Sequence, residues 1–470
     1  MQTNKIIQLA LITLLLLLSM VAMSSLLEAR DNTRNVILGA GCFSILLISA
    51  WRDIPIDAKL LFIVILGYAL GGKGFAYVSP FEPIYIGEIS LSFCMVGFLL
   101  RPRQLGFFET PIHRLIWLYL LYAGMHLIID FESYRLLALR DSSMAYYCLF
   151  FITAYSLFHN DRVVETFKRI IKVAMILSIL SMAYDATEIQ LESIGFAPHL
   201  DAYIPLSIGA ILYFLVIGIE KRKIHFLAAA CLVTLGVVAS SKTAALLALA
   251  AVIISAIVFG KISKLIIPSV ILFFIGVVAL SGMMFIDSDL VANLLTGGNT
   301  AETFGIQSGE FVGFSGTSAW RWVWWTTVCN DTLMLAPFWG QGFGADITGP
   351  FLVAYMGPDY GDPTGYARYP HNVMITNFGR LGFIGVTIFA VLFLTVGRFL
   401  IKFCKKYFSS PLRNDSDLIC YGIVVTGMVN GVLQATYEIP HSAITHWACL
   451  AYLVTRYYRP QGCVNDRSGQ

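Results

Sequence analysis

The sequence predicts an all-α fold, a polytopic transmembrane helical bundle of about 12–14 helices with one large extracytoplasmic loop containing short helices. Three observations predict it. Of 470 residues, 57% are hydrophobic and 13% charged, about half of the roughly 25% charge that a soluble domain carries. The mean hydropathy is +0.74. Apolar runs of membrane-spanning length recur along the chain, and the basic residues between them fall mostly on alternate sides. Lipid tolerates almost no charge, so this composition suits a bilayer and would leave a soluble protein without its surface. A net charge of +3 is too small to argue for nucleic acid.

A spanning helix needs about 20 mostly apolar residues. On that scale spans are predicted near 6–27, 35–51, 60–78, 83–100, 113–130, 143–158, 166–184 and 200–219. Others follow near 224–240, 243–260, 265–286, 379–401, 418–435 and 441–457. The first run is longer than the 7–15 residues, roughly, of a secretory h-region, so it reads as an uncleaved helix. The runs 224–240 and 243–260 are separated only by Ser240-Ser241-Lys242, a tight, re-entrant-looking hairpin. The chain thus divides into a helical part (1–286), a large loop (287–378), a second helical part (379–457) and a short tail (458–470).

With the N-terminus and Lys5 in the cytoplasm, most of the 32 Lys and Arg residues fall on the inner side, the bias of positive-inside topology, and the C-terminus is cytoplasmic too. The outward exceptions are Arg30, Arg34, Lys73, Arg135, Arg140, Lys242, Arg321, Arg368 and Arg380. A basic group there either meets a local carboxylate or a lipid headgroup, or it awaits an anionic ligand from the outer leaflet. Glu28 and Asp31 account for Arg30 and Arg34. The cysteines include no C-x-x-C, and only Cys329 lies in the loop. An internal loop disulfide is thereby excluded and a zinc site disfavoured.

The long loop is the candidate functional element, since the other outer connections are short. Residues 293–317 are rich in Gly and Ser, 318–335 have helical spacing, and 340–370 are punctuated by Gly and Pro. Its helix carries Trp320-Arg321-Trp322-Val323-Trp324-Trp325. At helical spacing Trp320 pairs with Trp324 and Arg321 with Trp325. The cluster reads either as an interfacial helix with a snorkelling Arg or as an anion grip, a guanidinium on phosphate oxygens stacked on indole. Gly340-Gln341-Gly342-Phe343-Gly344 permits close backbone approach or positive φ, and does not follow dinucleotide or P-loop spacing. Tyr369-Pro370-His371-Asn372 follows, with the only histidine of the loop. His371 is a candidate base, with His441 and His446 as competitors. Arg140 and Asp141 read as an ion pair or as part of a binding site.

These residues resemble the O-antigen ligase and O-antigen polymerase superfamily of bacterial surface-polysaccharide assembly. The likeness rests on Arg321 with Trp324, on Gly340, Gly342 and Gly344, and on His371-Asn372 followed by Gly379 and Leu381-Gly382. Two further stretches share it, Gly72 to Tyr77 with Ile84 to Glu88, and Leu139-Arg140-Asp141-Ser142. Where the family usually has Arg after a Ser-rich corner, this chain has Lys242, which keeps the charge and loses bidentate geometry.

The resemblance implies a multi-pass protein of the bacterial inner membrane whose large loop is periplasmic. It implies transfer of a glycan from undecaprenyl diphosphate to a sugar hydroxyl, with no cofactor and no metal. The expected partners are an undecaprenyl-diphosphate-linked oligosaccharide, an acceptor glycan, the lipid bilayer and a chain-length regulator, and no nucleic acid. His371 would be the base, Arg321 and Lys242 would hold the diphosphate, and Arg140 and Arg380 would stand in reserve. Polymerisation of repeat units is the leading expectation. The alternatives are ligation to the lipid A core and transfer to a protein hydroxyl. Outside this class stand a lipid-linked oligosaccharide flippase, disfavoured by the one-sided loop and the lack of an internal repeat, and a membrane O-acyltransferase, whose donor would be cytoplasmic.

Overall fold

The computed structural model describes residues 54–76, 85–101, 108–191, 203–239, 249–252, 314–348, 369–407 and 413–458. The predicted spans 6–27, 35–51 and 265–286, Lys242 and Arg368 lie outside these residues. Among the described residues the secondary structure is all helical. The helices are α1 (Ile56–Ala76), α2 (Ile86–Leu99), α3 (Pro111–Tyr134), α4 (Leu136–Asp141), α5 (Ser143–Tyr146), α6 (Leu149–Leu157), α7 (Asp161–Leu191), α8 (Ile204–Glu220) and α9 (Ile224–Ala239). After the first part of the long loop come α10 (Phe314–Leu335), α11 (Val373–Tyr407), α12 (Asp415–Leu433) and α13 (Pro440–Tyr458). By length and composition α3, α11 and α12 can cross a membrane, and α2, α8 and most of α9 are shorter apolar helices.

The packing follows from small residues where helices cross. α8 lies against α9 and α12, α1 against α2 and α7, α3 against α11, and α13 against α6 and α12. At the α8–α12 crossing a Cβ on Gly422 would sit 2.7 Å from the Cα of Gly209, so glycine on both sides lets the backbones touch, as van der Waals packing in lipid requires. Gly67 faces the ring of Phe75.

Four ion pairs lie toward one end of the bundle. Arg101 pairs with Asp57 between the ends of α2 and α1. Lys172 Nζ lies 2.8 Å from Asp415 Oδ2, Arg413 pairs with Glu220, and Arg456 Nε lies 3.5 Å from Asp417 Oδ1. The opposite end holds a different chemistry, in which Tyr, Ser, Asp and Glu side chains of α2, α4, α5 and the α12–α13 connection meet the residues before α11.

Two local features bear on the site. The segment predicted as one span at 143–158 is found as the apolar helix Ser143–Leu157, α5 and α6 being joined through helical Tyr147 and Cys148, and Arg135, at φ 48°, separates α3 from α4. The helix expected from 379 begins at Val373, because the Asn372 side chain accepts from the N–H groups of Met374 (2.9 Å) and Ile375 (3.3 Å) and caps it. It then passes through a break at Gly382, with φ 64° and ψ −164°.

Candidate active site

The break at Gly382 exposes backbone groups that a helix would otherwise pair, and in a bilayer each must find a partner. The glycine segment after α10 supplies most of them. Gln341 N–H donates to the Gly379 carbonyl (2.8 Å) and Gly342 N–H to that of Arg380 (3.0 Å), while Phe383 N–H donates to the Pro337 carbonyl (2.8 Å). The Leu381 carbonyl accepts from Tyr122 Oη at 3.1 Å. The glycine loop and the kink are thus one hydrogen-bonded unit.

The alternating glycines are what allow that fit. Gly340, Gly342 and Gly344 have φ of 84°, 86° and 88°, the left-handed region that side chains avoid. A Cβ on Gly340 would strike the Arg380 backbone at 2.5 Å, and one on Gly342 the Asp130 carboxylate at 2.6 Å. The N–H groups turned outward by these conformations meet acids on the neighbouring helices. Phe343 N–H donates to Asp130 Oδ2 (2.7 Å) and Gly344 N–H to Asp141 Oδ2 (3.1 Å).

Arg380 crosses beneath the same loop. Its guanidinium is fully buried, lies 2.8 Å from Asp141 Oδ2, and donates to the carbonyls of Gly342 (3.2 Å) and Ala345. The Asp141 ion pair is therefore made with Arg380, across 239 residues of chain, whereas Arg140 is exposed. Arg380 faces the loop's backbone, and Arg140 contributes its carbonyl to Tyr369 Oη at 3.1 Å.

His371 stands at the corner before the Asn372 cap with φ 54°, a conformation rare for a residue with a side chain and associated with functional sites. α10 braces the corner. Trp324 is fully buried and meets the His371 ring edge-on with centroids 5.7 Å apart. Trp325 Nε1 donates to the Pro370 carbonyl. Further along the same face, Thr332 Oγ1 accepts from Gln341 Nε2 at 3.0 Å. Arg321 is half-buried and lies one helical turn before Trp324 and Trp325 on this helix. The structure brings Trp324 to His371, sets Asn372 at the start of α11 and ties the glycine segment to the Gly382 kink, while Arg321 lies on the same helix as Trp324. Lys242 lies outside the described residues.

Sequence reasoning missed several polar residues around the corner. Tyr369 Oη lies 3.2 Å from Ser143 Oγ, and Ser143 Oγ donates to the Glu438 carbonyl at 3.2 Å. The fully buried Glu438 sits between α12 and α13, where burial pushes its carboxyl up to about 7 against smaller opposing pulls from nearby donors. Burial, with Asp141 adding to it, also pushes the Tyr369 phenol up. His126 is fully buried 4.1 Å, ring to ring, from Trp339 of the glycine segment. Of the competing histidines, His446 is buried against Tyr437 Oη (Nε2 at 3.3 Å), and His441 stacks edge-on to Tyr68. Apart from Tyr437 and His446, these partners lie far from their mates in sequence, so no spacing could have revealed them.

Glu438 makes stability depend on pH. The folded chain keeps a proton that the unfolded chain releases between the ordinary carboxyl value of 4.5 and about 7, so stability falls as pH rises through that window, by on the order of 3 kcal/mol. Glu438→Gln removes this titration. In detergent melting curves the variant should match the wild type near pH 5 and exceed it near pH 8. A difference independent of pH would mean that Glu438 stays ionised in the fold.

Residues 227–390, from α9 into α11, match the family model described as O-Antigen ligase. No curated protein matches the chain.

Proposed function

We propose that this chain is a membrane enzyme of surface-polysaccharide assembly that transfers a saccharide from undecaprenyl diphosphate to an acceptor sugar hydroxyl at the periplasmic face of the inner membrane, a reading supported by the match of residues 227–390 to the O-Antigen ligase family model. The observation that carries this reading is the docking of the Arg321 helix, through Trp324 and Trp325, onto the corner that presents His371. In this reading His371 is the base and Arg321 the cation, carried on elements that dock together next to helices long enough to span a bilayer.

In this reading the acceptor oxygen attacks the anomeric carbon, a new glycosidic C–O bond forms, and the C–O bond to the diphosphate breaks. The electron pair leaves with polyprenyl diphosphate, and the hydroxyl proton passes to the His371 imidazole. Arg321 grips the departing phosphate oxygens bidentately, where charge develops, and Lys242 adds a second positive charge. Asn372 fixes the corner as a helix cap, and Arg380 fixes the glycine loop. In this reading the N- and C-termini are cytoplasmic and the His371 corner faces the periplasm.

Repeat-unit polymerisation is the preferred form, with ligation of finished glycan to a lipid A core or a protein as the alternatives. Glycans extracted from cells lacking the protein separate them. Lipid-linked single repeat units without long polymer are expected. Long polymer still attached to undecaprenyl diphosphate would mean ligation. Units trapped on the cytoplasmic side would mean a flippase and would remove His371 and Arg321 from the mechanism.

A further inference from the structure

At the same end of the bundle as the His371 corner, one carboxylate is surrounded by tyrosines. Glu88, in the first turn of α2, is half-buried. Its Oε1 accepts from Tyr146 Oη at 3.1 Å and from Tyr147 Oη, and its Oε2 accepts from the Tyr85 N–H at 3.1 Å. The Tyr146 and Tyr147 rings meet edge-on with centroids 4.8 Å apart. Tyr68, from α1, reaches the same place. Its hydroxyl would lie 3.0 Å from a Cβ on Gly87, next to Glu88, and feels the Glu88 and Tyr147 groups. Tyr68 is 1% exposed, and its hydroxyl has no hydrogen-bond partner among the described residues. A buried hydroxyl left so is costly, so a chain that keeps one here has a use for it.

The chemistry of the cluster restricts its ligand. A carboxylate repels the diphosphate end of a lipid-linked donor. One carboxylate among phenols is also a poor hold for a hard divalent cation, which takes several carboxylate and carbonyl oxygens. What fits is a neutral molecule dense in hydroxyls with apolar C–H faces. Its hydroxyls donate to the free lone pairs of Glu88 and pair with Tyr68, and its C–H faces lie on the half-buried ring of Tyr146. The cluster is also continuous with the corner. Tyr146 feels the Tyr369 phenol, two residues before His371, and Tyr369 is tied to Ser143 of the same α5.

We infer that Glu88, Tyr68, Tyr146 and Tyr147 form a saccharide subsite that holds the hydroxyls of a glycan whose reacting end lies at His371. The identity of the ligand rests on the transfer reading above. The subsite itself is a statement about binding and is tested by binding.

The probe is the oligosaccharide released by mild acid from the surface polysaccharide of the source cells. It is added to the full-length protein in lipid nanodiscs and followed by saturation-transfer NMR. Wild-type protein should transfer saturation to the sugar protons. Glu88→Gln should weaken binding about tenfold, the loss of a hydrogen bond to a charged group. Tyr68→Phe is the sharper variant. If the cluster only supports the fold, removing an unpartnered buried hydroxyl leaves binding unchanged and raises the melting temperature. As a subsite residue, Tyr68→Phe weakens binding although the fold is at least as stable. Should Glu88→Gln fail to fold, Tyr68→Phe decides alone. No saturation transfer in the wild type, or binding by both variants equal to it, overturns the subsite. Binding that depends on Tyr68 in a protein whose His371 variant still transfers glycan would overturn the transfer mechanism and leave the subsite standing.

Discussion

His371→Asn is expected to lower glycan transfer by about 10²–10⁴-fold, the usual contribution of a positioned general base, while the protein still inserts and melts as the wild type does. Asparagine is the informative replacement because His371 has φ 54°, and Asn accepts the left-handed region better than other residues with a side chain. It keeps a polar group at the corner and removes the imidazole that would take the acceptor's proton. His371→Ala removes the ring as well but adds backbone strain, so loss of activity there conflates two causes. The assay is transfer from purified undecaprenyl-diphosphate-linked repeat unit, followed by gel mobility of the product. Activity of His371→Asn within tenfold of wild type would remove His371 as the base. Loss of activity together with a lowered melting temperature in both variants would make the corner structural.

The parts of this site that were legible in the sequence are those written in local spacing. Gly340, Gly342 and Gly344 alternate, and alternation of that kind already signals positive φ, which all three adopt. The helical spacing of the Trp cluster foretold α10, found at Phe314–Leu335. The start of α11 was misplaced for a local reason as well. Gly379 and Gly382 read as punctuation before a helix, yet Asn372 caps the chain seven residues earlier than Gly379, and the helix absorbs Gly382 as a kink. Partners distant in sequence were not legible. Asp141 sits beside Arg140 in the chain and pairs with Arg380 in space. Asp130 and Tyr122 looked like ordinary residues of an apolar helix until the glycine loop and the Gly382 break came to rest on them. Glu88, Tyr68 and Tyr146 come from three separate helices and acquire meaning only when those helices pack.

The largest structural effect should come from Arg380→Met. Both members of the Arg380–Asp141 pair are fully buried, so removing the guanidinium leaves Asp141 as a buried charge without the counter-ion Arg380 supplies. Breaking a buried pair in this way costs about 3–5 kcal/mol, more than the pair itself contributes over a well-packed apolar replacement. The loss spreads further than the pair, because the Gly342 and Ala345 carbonyls lose their donor at the same time. Methionine fills the stem's volume, so a cavity is not the cause of any destabilisation seen. The double variant Arg380→Met with Asp141→Leu separates charge from shape. It should recover much of the melting temperature lost by Arg380→Met, since no buried charge remains. Transfer activity should stay low in the double variant, because Gly344 N–H then has no carboxylate and the loop that meets the Gly382 kink loses its anchor. If the double variant regained full activity, the pair would be a stability device only. If Arg380→Met melted normally yet bound donor lipid more weakly, Arg380 would be a diphosphate ligand after all, and the buried clamp would open in the working enzyme.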